Sequence, residues 1–248
     1  EERDVVGSFD LPNVHVNITA VVERQKKTDR NVLGLLPPVE GTENPEYVMV
    51  GAHYDHIGHG EIDSLARKGE EGHVHNGADD NASGVSTVLE LAASLAKARK
   101  ENPQNFRRGV IFALWSGEEL GFLGSSYFAE HPTVSLKNAI AYINYDMVGR
   151  LRENTLIIEG IGSSNTWGRL IEKNNITAGF NLKLLHDPYL PTDVTAFYPK
   201  EIPIVHFFTG VHEDYNRPTD DAETLNYEGM SRIAQFSKSL ILDLLKNP

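Results

Sequence analysis

The chain has 248 residues, 40% hydrophobic and 23% charged, an ordinary make-up for a globular protein with a full core. Against 23 Lys and Arg stand 35 Asp and Glu, a formal charge of −12 that argues against a nucleic-acid partner. No apolar run approaches the roughly 18 residues of a membrane span, and the absence of cysteine excludes disulfides and thiolate metal sites.

The start, Glu1-Glu2-Arg3-Asp4, has neither an initiating Met nor a signal-peptide core, and it reads as a trimmed piece of a longer precursor. Residues 14–23 (VHVNITAVVE) alternate apolar and polar positions as a half-buried strand does. Residues 31–36 read as a second strand, joined to the first by the charged turn 26–30 in a hairpin. Residues 47–52 (YVMVGA) are short, apolar and β-branched, the pattern of a buried central strand, and they end directly at His53. The connection over 57–76 is polar, glycine-rich and long, so a functional lid is one expectation. A helix follows over 82–100, where Val85, Val88, Leu89, Leu91, Ala92 and Leu95 recur at helical spacing and basic residues gather at the end.

Residues 109–115 (GVIFALW) and 139–145 (AIAYINY) are further buried strands. The first runs into Ser116-Gly117-Glu118-Glu119 and the second ends at Asp146, with a helix over 120–131 between them. A strand at 155–159, a helix at 165–177, a strand at 181–185 and a helical turn at 194–198 continue the alternation. Residues 202–208 (IPIVHFF) form a last buried strand that delivers the chain to 210–221, and 226–246 closes it as an amphipathic helix. Strands alternating with helices imply α/β architecture: one domain over 1–248, with a mostly parallel sheet flanked by helices on both faces.

His53, Glu118 and Glu119, Asp146 and His212 each fall just beyond a predicted strand, and Asp80 falls just before a helix. In open α/β sheets that edge binds ligands. Two imidazoles and three carboxylates without sulfur suit zinc. Charge favours two ions, since the four positive charges of two Zn2+ are balanced by Asp80, Glu119, Asp146 and a bridging hydroxide. Neighbours leaving a strand point to opposite sides, so one of Glu118 and Glu119 can ligate while the other acts as general base. Asp55 is placed to orient the His53 imidazole. Plainer readings exist for each block, a helix cap for Asp79-Asp80-Asn81 and a solvated turn for Glu118-Glu119; the convergence of five segments outweighs them. His56, His59, His73 and His75 read as a polar loop rich in histidine, and His206 as a core or supporting residue.

His53-x-Asp55, Gly77-Ala78-Asp79-Asp80-Asn81-Ala82-Ser83-Gly84, Trp115-Ser116-Gly117-Glu118-Glu119, Asn144-Tyr145-Asp146-Met147 and Phe207-Phe208-Thr209-Gly210-x-His212 occur in that order. Together they resemble the co-catalytic di-zinc aminopeptidases of the secreted bacterial leucine-aminopeptidase type, relatives of glutamate carboxypeptidase and the transferrin receptor. The likeness covers nearly the whole chain. It implies a zinc-exopeptidase fold with a mixed central sheet, two Zn2+ ions, and a peptide substrate with a free N-terminus. It also implies His53 and Asp146 on one zinc, Glu119 and His212 on the other, Asp80 bridging them, and Glu118 as base and then acid.

A non-proline cis peptide at Asp80–Asn81 and a secreted or periplasmic location belong to the same expectation. So does a protease-associated domain before the core in some relatives, whose removal the trimmed start would fit. Departures fall at Thr192-Asp193-Val194, where many relatives have Ser-Asp-His, and at Asn216, where some have His. The rival readings are a glutaminyl-cyclase-like enzyme, a carboxypeptidase or dipeptidase, or a non-catalytic receptor-type domain. A carboxypeptidase needs arginines for the substrate carboxylate, and Arg150 and Arg217 are nearest by sequence. Tyr189, Phe197 and Phe208 suggest an apolar pocket.

Overall fold

The computed structural model describes residues 12–22 and 26–246. Its strands are β1 (Val32–Leu36), β2 (Tyr47–His53), β3 (Gly109–Trp115), β4 (Ala139–Tyr145), β5 (Thr155–Glu159), β6 (Asn181–Leu184) and β7 (Ile204–Phe208). They form one sheet in the order β1-β3-β2-β4-β7-β5-β6. β3, β2, β4 and β7 run parallel, while β1 is antiparallel to β3 and β5 is antiparallel to β7. The sheet is therefore mixed, and the four parallel strands deliver their C-terminal ends to one edge.

These four strands are central because they are apolar on both sides, with Val48, Val50, Val110, Ile143 and Val205 toward one face and Met49, Ile111, Tyr142 and Ile204 toward the other. The first face is covered by helices α1 (Gly84–Glu101), α3 (Trp167–Ala178) and α4 (Tyr227–Lys246). α4 alone buries Ile233, Phe236, Leu240, Ile241 and Leu245, each contributing about 1.5–3 kcal/mol of transfer free energy. The second face is covered by α2 (Leu123–Glu130) and the 3-10 turn Asp193–Ala196, with Trp115, Phe128, Tyr142 and Phe197 packed ring to ring. Buried there, Trp115 Nε1 donates to Tyr142 Oη at 2.8 Å and Tyr142 Oη donates to Asn144 Oδ1 at 2.6 Å. Gly51 makes room for this chain of polar groups, since a Cβ would come within 2.7 Å of Tyr142 Oη.

The predicted hairpin does not form. Residues 14–22 make no strand and expose Val14, Val16, Ile18, Val21 and Val22, while position 23 lies outside the described residues. β1 instead takes β3 as its partner, so the alternation in 14–22 has no buried face to serve. α1 starts at Gly84 because 78–83 is an irregular turn, and β7 starts only after Pro203, which lacks an N–H for a ladder. Among the described residues no helix is long and apolar enough to cross a membrane.

Candidate metal centre

β2 ends at His53, which lies opposite Trp115 in the parallel ladder with β3. That register fixes what the two strand exits do next. The Asp55 carboxylate accepts the backbone N–H of Glu118 at 3.1 Å and of Glu119 at 3.3 Å, tying one exit to the other. His53 Nδ1 stands 3.1 Å from the Asp55 carbonyl oxygen and 3.7 Å from its carboxylate. The backbone, more than the expected carboxylate, thus orients the imidazole, and Asp55 is a positioning residue for the Glu118-Glu119 turn. His53 Nε2 then faces Asp80 Oδ1 at 3.2 Å and Asp146 Oδ1 at 3.4 Å.

Asp80 is held by a turn that leaves few atoms free. Gly77 enters it in the left-handed region at φ 61, and the Asp80–Asn81 peptide is cis, as the resemblance implied. Asn81 donates from Nδ2 to Tyr145 O and accepts the Gly84 N–H on Oδ1, both at 3.0 Å. The N–H groups of Asp79 and Asp80 donate to buried Asp220 Oδ2 at 2.8 and 3.1 Å, and Arg150 donates to Asp220 Oδ1 at 3.2 Å. Asp79 Oδ1 accepts from Gly149 N at 2.6 Å and Ser83 Oγ at 3.0 Å. Asp79 and Asp220 were invisible as supports in the sequence, because their partners lie 70 and 140–141 residues away.

Two donor groups result, His53 with Asp80 and Asp146, and His56 with Asp80 and Glu119; within each, the donor atoms lie within 4.8 Å of one another. Two ligands on a tetrahedral zinc, with bonds of about 2.0–2.1 Å, stand roughly 3.3 Å apart. The 3.2 and 3.4 Å spacings around His53 fit that figure. His53 Nε2, His56 Nε2 and Asp146 Oδ1, and beyond them Asp79 Oδ2 and His212 Nε2, are buried without hydrogen-bond partners, a state that cation ligands leave behind.

The structure does not bring His212 into either group. Its Nε2 lies 3.1 Å from Asp79 Oδ2, on the other carboxylate of the turn. Sequence reading passed over His56, whose Nδ1 is 2.6 Å from Glu119 Oε1. Its signal was its place three residues after His53 at the same strand exit, before the loop to which it had been assigned. The other loop histidines stay outside: buried His75 bonds to Ser64 Oγ at 2.8 Å, and His59 reaches only the Gly72 carbonyl. The loop itself is pinned to the last site segment by Asn216 Nδ2 to Asp63 O at 3.1 Å and Arg217 Nε to Leu65 O at 2.9 Å.

The carboxylates crowd one another. Burial, reinforced by Asp146, Asp193 and Glu119 against the pull of His53, pushes Glu118 up to about 9. Burial lifts Asp80 to about 6, whereas at Asp146 burial is the largest influence but His53, His206 and His56 together outweigh it and hold it below the ordinary value. Burial opposes charge on His53, yet Asp146, Asp55 and Asp80 together raise it well above the usual range. Such a cluster of buried carboxylates is a setting that calls for cations. Beside it lies a cavity of about 510 Å³, lined by Asp80, Glu118 and Asp146 and by the apolar Phe122, Met147 and Phe208. Of the three aromatics expected to shape a pocket, only Phe208 lines it; Phe197 is core, and exposed Tyr189 packs edge-on against Tyr198.

The sequence profile of peptidase family M28 matches residues 31–241. The chain belongs to that family. Aminopeptidase YwaD of Bacillus subtilis is 33% identical over 234 residues, 89% of this M28 chain and 46% of that protein. An aminopeptidase of Pseudomonas aeruginosa is 33% identical over 159 residues, 64% of this chain and 25% of that protein. The chain thus spans less than half the length of these relatives. A zinc aminopeptidase structure from Bacillus subtilis superposes with a TM-score of 0.69 at 26% identity, over 88% of this chain and 50% of that one. A glutaminyl cyclase from Porphyromonas gingivalis gives 0.67 at 18% identity, over 86% and 77%, a likeness of fold alone.

Proposed function

We propose that this M28 chain is the catalytic domain of a two-zinc aminopeptidase that acts outside the cytoplasm and removes N-terminal residues from peptides. One observation carries the reading: Asp80 belongs to both donor groups, so a single carboxylate serves two ions. His53 and Asp146 complete one group with it, and Glu119 and an imidazole complete the other. The names of the relatives, aminopeptidases and a zinc aminopeptidase, support the same class.

Bound there, the ions would supply Lewis acidity toward the scissile carbonyl and acidify the attacking water. The chain's own residues do the rest. Glu118 takes the proton of the attacking water and later passes it to the leaving amine. Glu118, held at about 9 by burial and its carboxylate neighbours, would ionise more readily with cations bound beside it and so could accept that proton. Asp55 holds the peptide groups of Glu118 and Glu119, so base and ligand keep fixed places. The cavity with Phe122, Met147 and Phe208 in its wall receives the first side chain, and the acidic rim suits a cationic N-terminus.

The carboxypeptidase alternative loses its arginines. Arg150 is paired with Asp214 at 3.0 Å and Asp220 at 3.2 Å, and Arg217 reaches the carbonyls of Leu65 and Glu213. The deciding experiment compares a leucyl anilide carrying a free amine with its N-acetylated form, with and without chelator. Only the free-amine substrate should turn over, and chelator should stop it. Cleavage of the blocked substrate, or turnover that ignores chelator, refutes the proposal.

A further inference from the structure

The second donor group needs an imidazole, and two histidines lie near enough to compete for the place. We propose that His56 holds the second ion with Asp80 and Glu119, while His212 stays outside as the partner of Asp79. The inference rests on the two-ion reading and assigns its remaining ligand.

Geometry separates the two rings. His56 shares a donor group with Asp80 and Glu119, its Nδ1 2.6 Å from Glu119 Oε1. That contact is a direct hydrogen bond, so the ring and the carboxylate already face one another. Its other nitrogen, Nε2, is buried with no hydrogen-bond partner, as is His212 Nε2, so the carboxylates that each ring stands against separate the two. His212 Nε2 lies against Asp79 Oδ2, and that carboxylate is already bound through Oδ1 to Gly149 N and Ser83 Oγ. Asp79 is therefore fixed by the fold and holds His212 with it. Through this pair the segment after β7 braces the turn that presents Asp80, which makes His212 a positioning residue.

Chain architecture argues the same way. His53, Asp55 and His56 leave β2 within four residues, and Asp55 ties that exit to the backbone of Glu118 and Glu119. The short strand exit thus carries one imidazole for each ion, on either side of the shared Asp80. Because both rings ride on one rigid end, the second group does not depend on the separate 210–221 segment for a ligand.

The test is metal content. Purified chain is stripped with chelator, reloaded with Zn2+, and its bound metal counted by plasma mass spectrometry. His56→Gln is expected to hold one ion where the wild type holds two, and His212→Gln to hold two with a lowered melting temperature. Two ions in His56→Gln with one in His212→Gln overturns this assignment and leaves the two-ion reading standing. One ion in the wild type overturns both.

Should His56→Gln fail to fold, diethylpyrocarbonate labelling of the wild type decides instead. A second equivalent of Zn2+ should protect the His56 peptide and leave labelling at His212 unchanged. Protection of His212 alone refutes the proposal.

Discussion

Asp220 is the buried residue on which the turn presenting Asp80 leans, so its removal is the sharpest test of how that turn is held. Asp220→Ala takes an anionic acceptor from the N–H groups of Asp79 and Asp80, which donate to it at 2.8 and 3.1 Å. An unsatisfied buried donor costs about 1–3 kcal/mol. Arg150 loses its 3.2 Å contact too, but it keeps Asp214 at 3.0 Å, so its share lies at the low end. The sum is about 3–5 kcal/mol, the range for breaking a buried charged network. For a chain of this length, that is a melting-temperature fall of roughly 6–20 °C.

The assay is thermal unfolding of chelator-treated protein, so that bound metal does not enter the comparison. Asp220→Asn keeps one carbonyl acceptor and should lose only about 1–2 kcal/mol. If Asp220→Ala melts within about 2 °C of wild type, a shift below 1 kcal/mol at this size, the claim that this carboxylate holds the turn is refuted. An Asp220→Asn protein less stable than Asp220→Ala would refute it equally.

Two further outcomes are expected. Glu118→Ala should lower turnover about 10²–10⁴-fold while the protein keeps its two ions; a lost ion would show that Glu118 is a ligand and that base and ligand had been exchanged. Asp243 bears on pH. Burial alone would raise its pKa, but hydrogen bonds from Lys173 at 2.7 Å and Asn174 at 3.1 Å, with the nearby positive charges, hold it below the ordinary value. A depressed carboxylate adds stability above its unfolded pKa of about 3.9 and loses it as pH falls through the folded value. This partly exposed pair is worth less than about 1 kcal/mol. Asp243→Asn should therefore be slightly less stable than wild type at pH 7, and urea midpoints taken toward pH 3 should show the gap closing. A gap that widens in acid contradicts the sign.

The sheet was legible because its strands announce themselves. β2, β3, β4 and β7 are mostly apolar runs, and each leads within four residues to a chemically loaded one, so their order in sequence already marked the site edge. Period-2 alternation in 14–22 misled, because alternation says only that a strand is possible and not that a partner exists. The gathering of Asp80, Glu119 and Asp146 at one edge was readable, yet which imidazole stands beside them was not. Nothing in local sequence tells that His212 falls on Asp79 when Asp80 is its neighbour; adjacent carboxylates on an irregular turn part by backbone geometry. Asp220 was unreadable for a related reason, since its value lies in two amide hydrogens far away in the chain.

The Asp55 carboxylate, which receives two consecutive amide N–H groups from the neighbouring strand exit, has a consequence for assembly. Glu118 and Glu119 are identical side chains with different proposed duties, distinguished by position alone. A one-residue slip of β3 along β2, away from the His53–Trp115 alignment, would carry one glutamate into the other's place and push the second out of the site. Asp55 discriminates between these alignments. In the native one it receives the hydrogens of Glu118 and Glu119 together, so this fork ties strand alignment to the placing of two like residues.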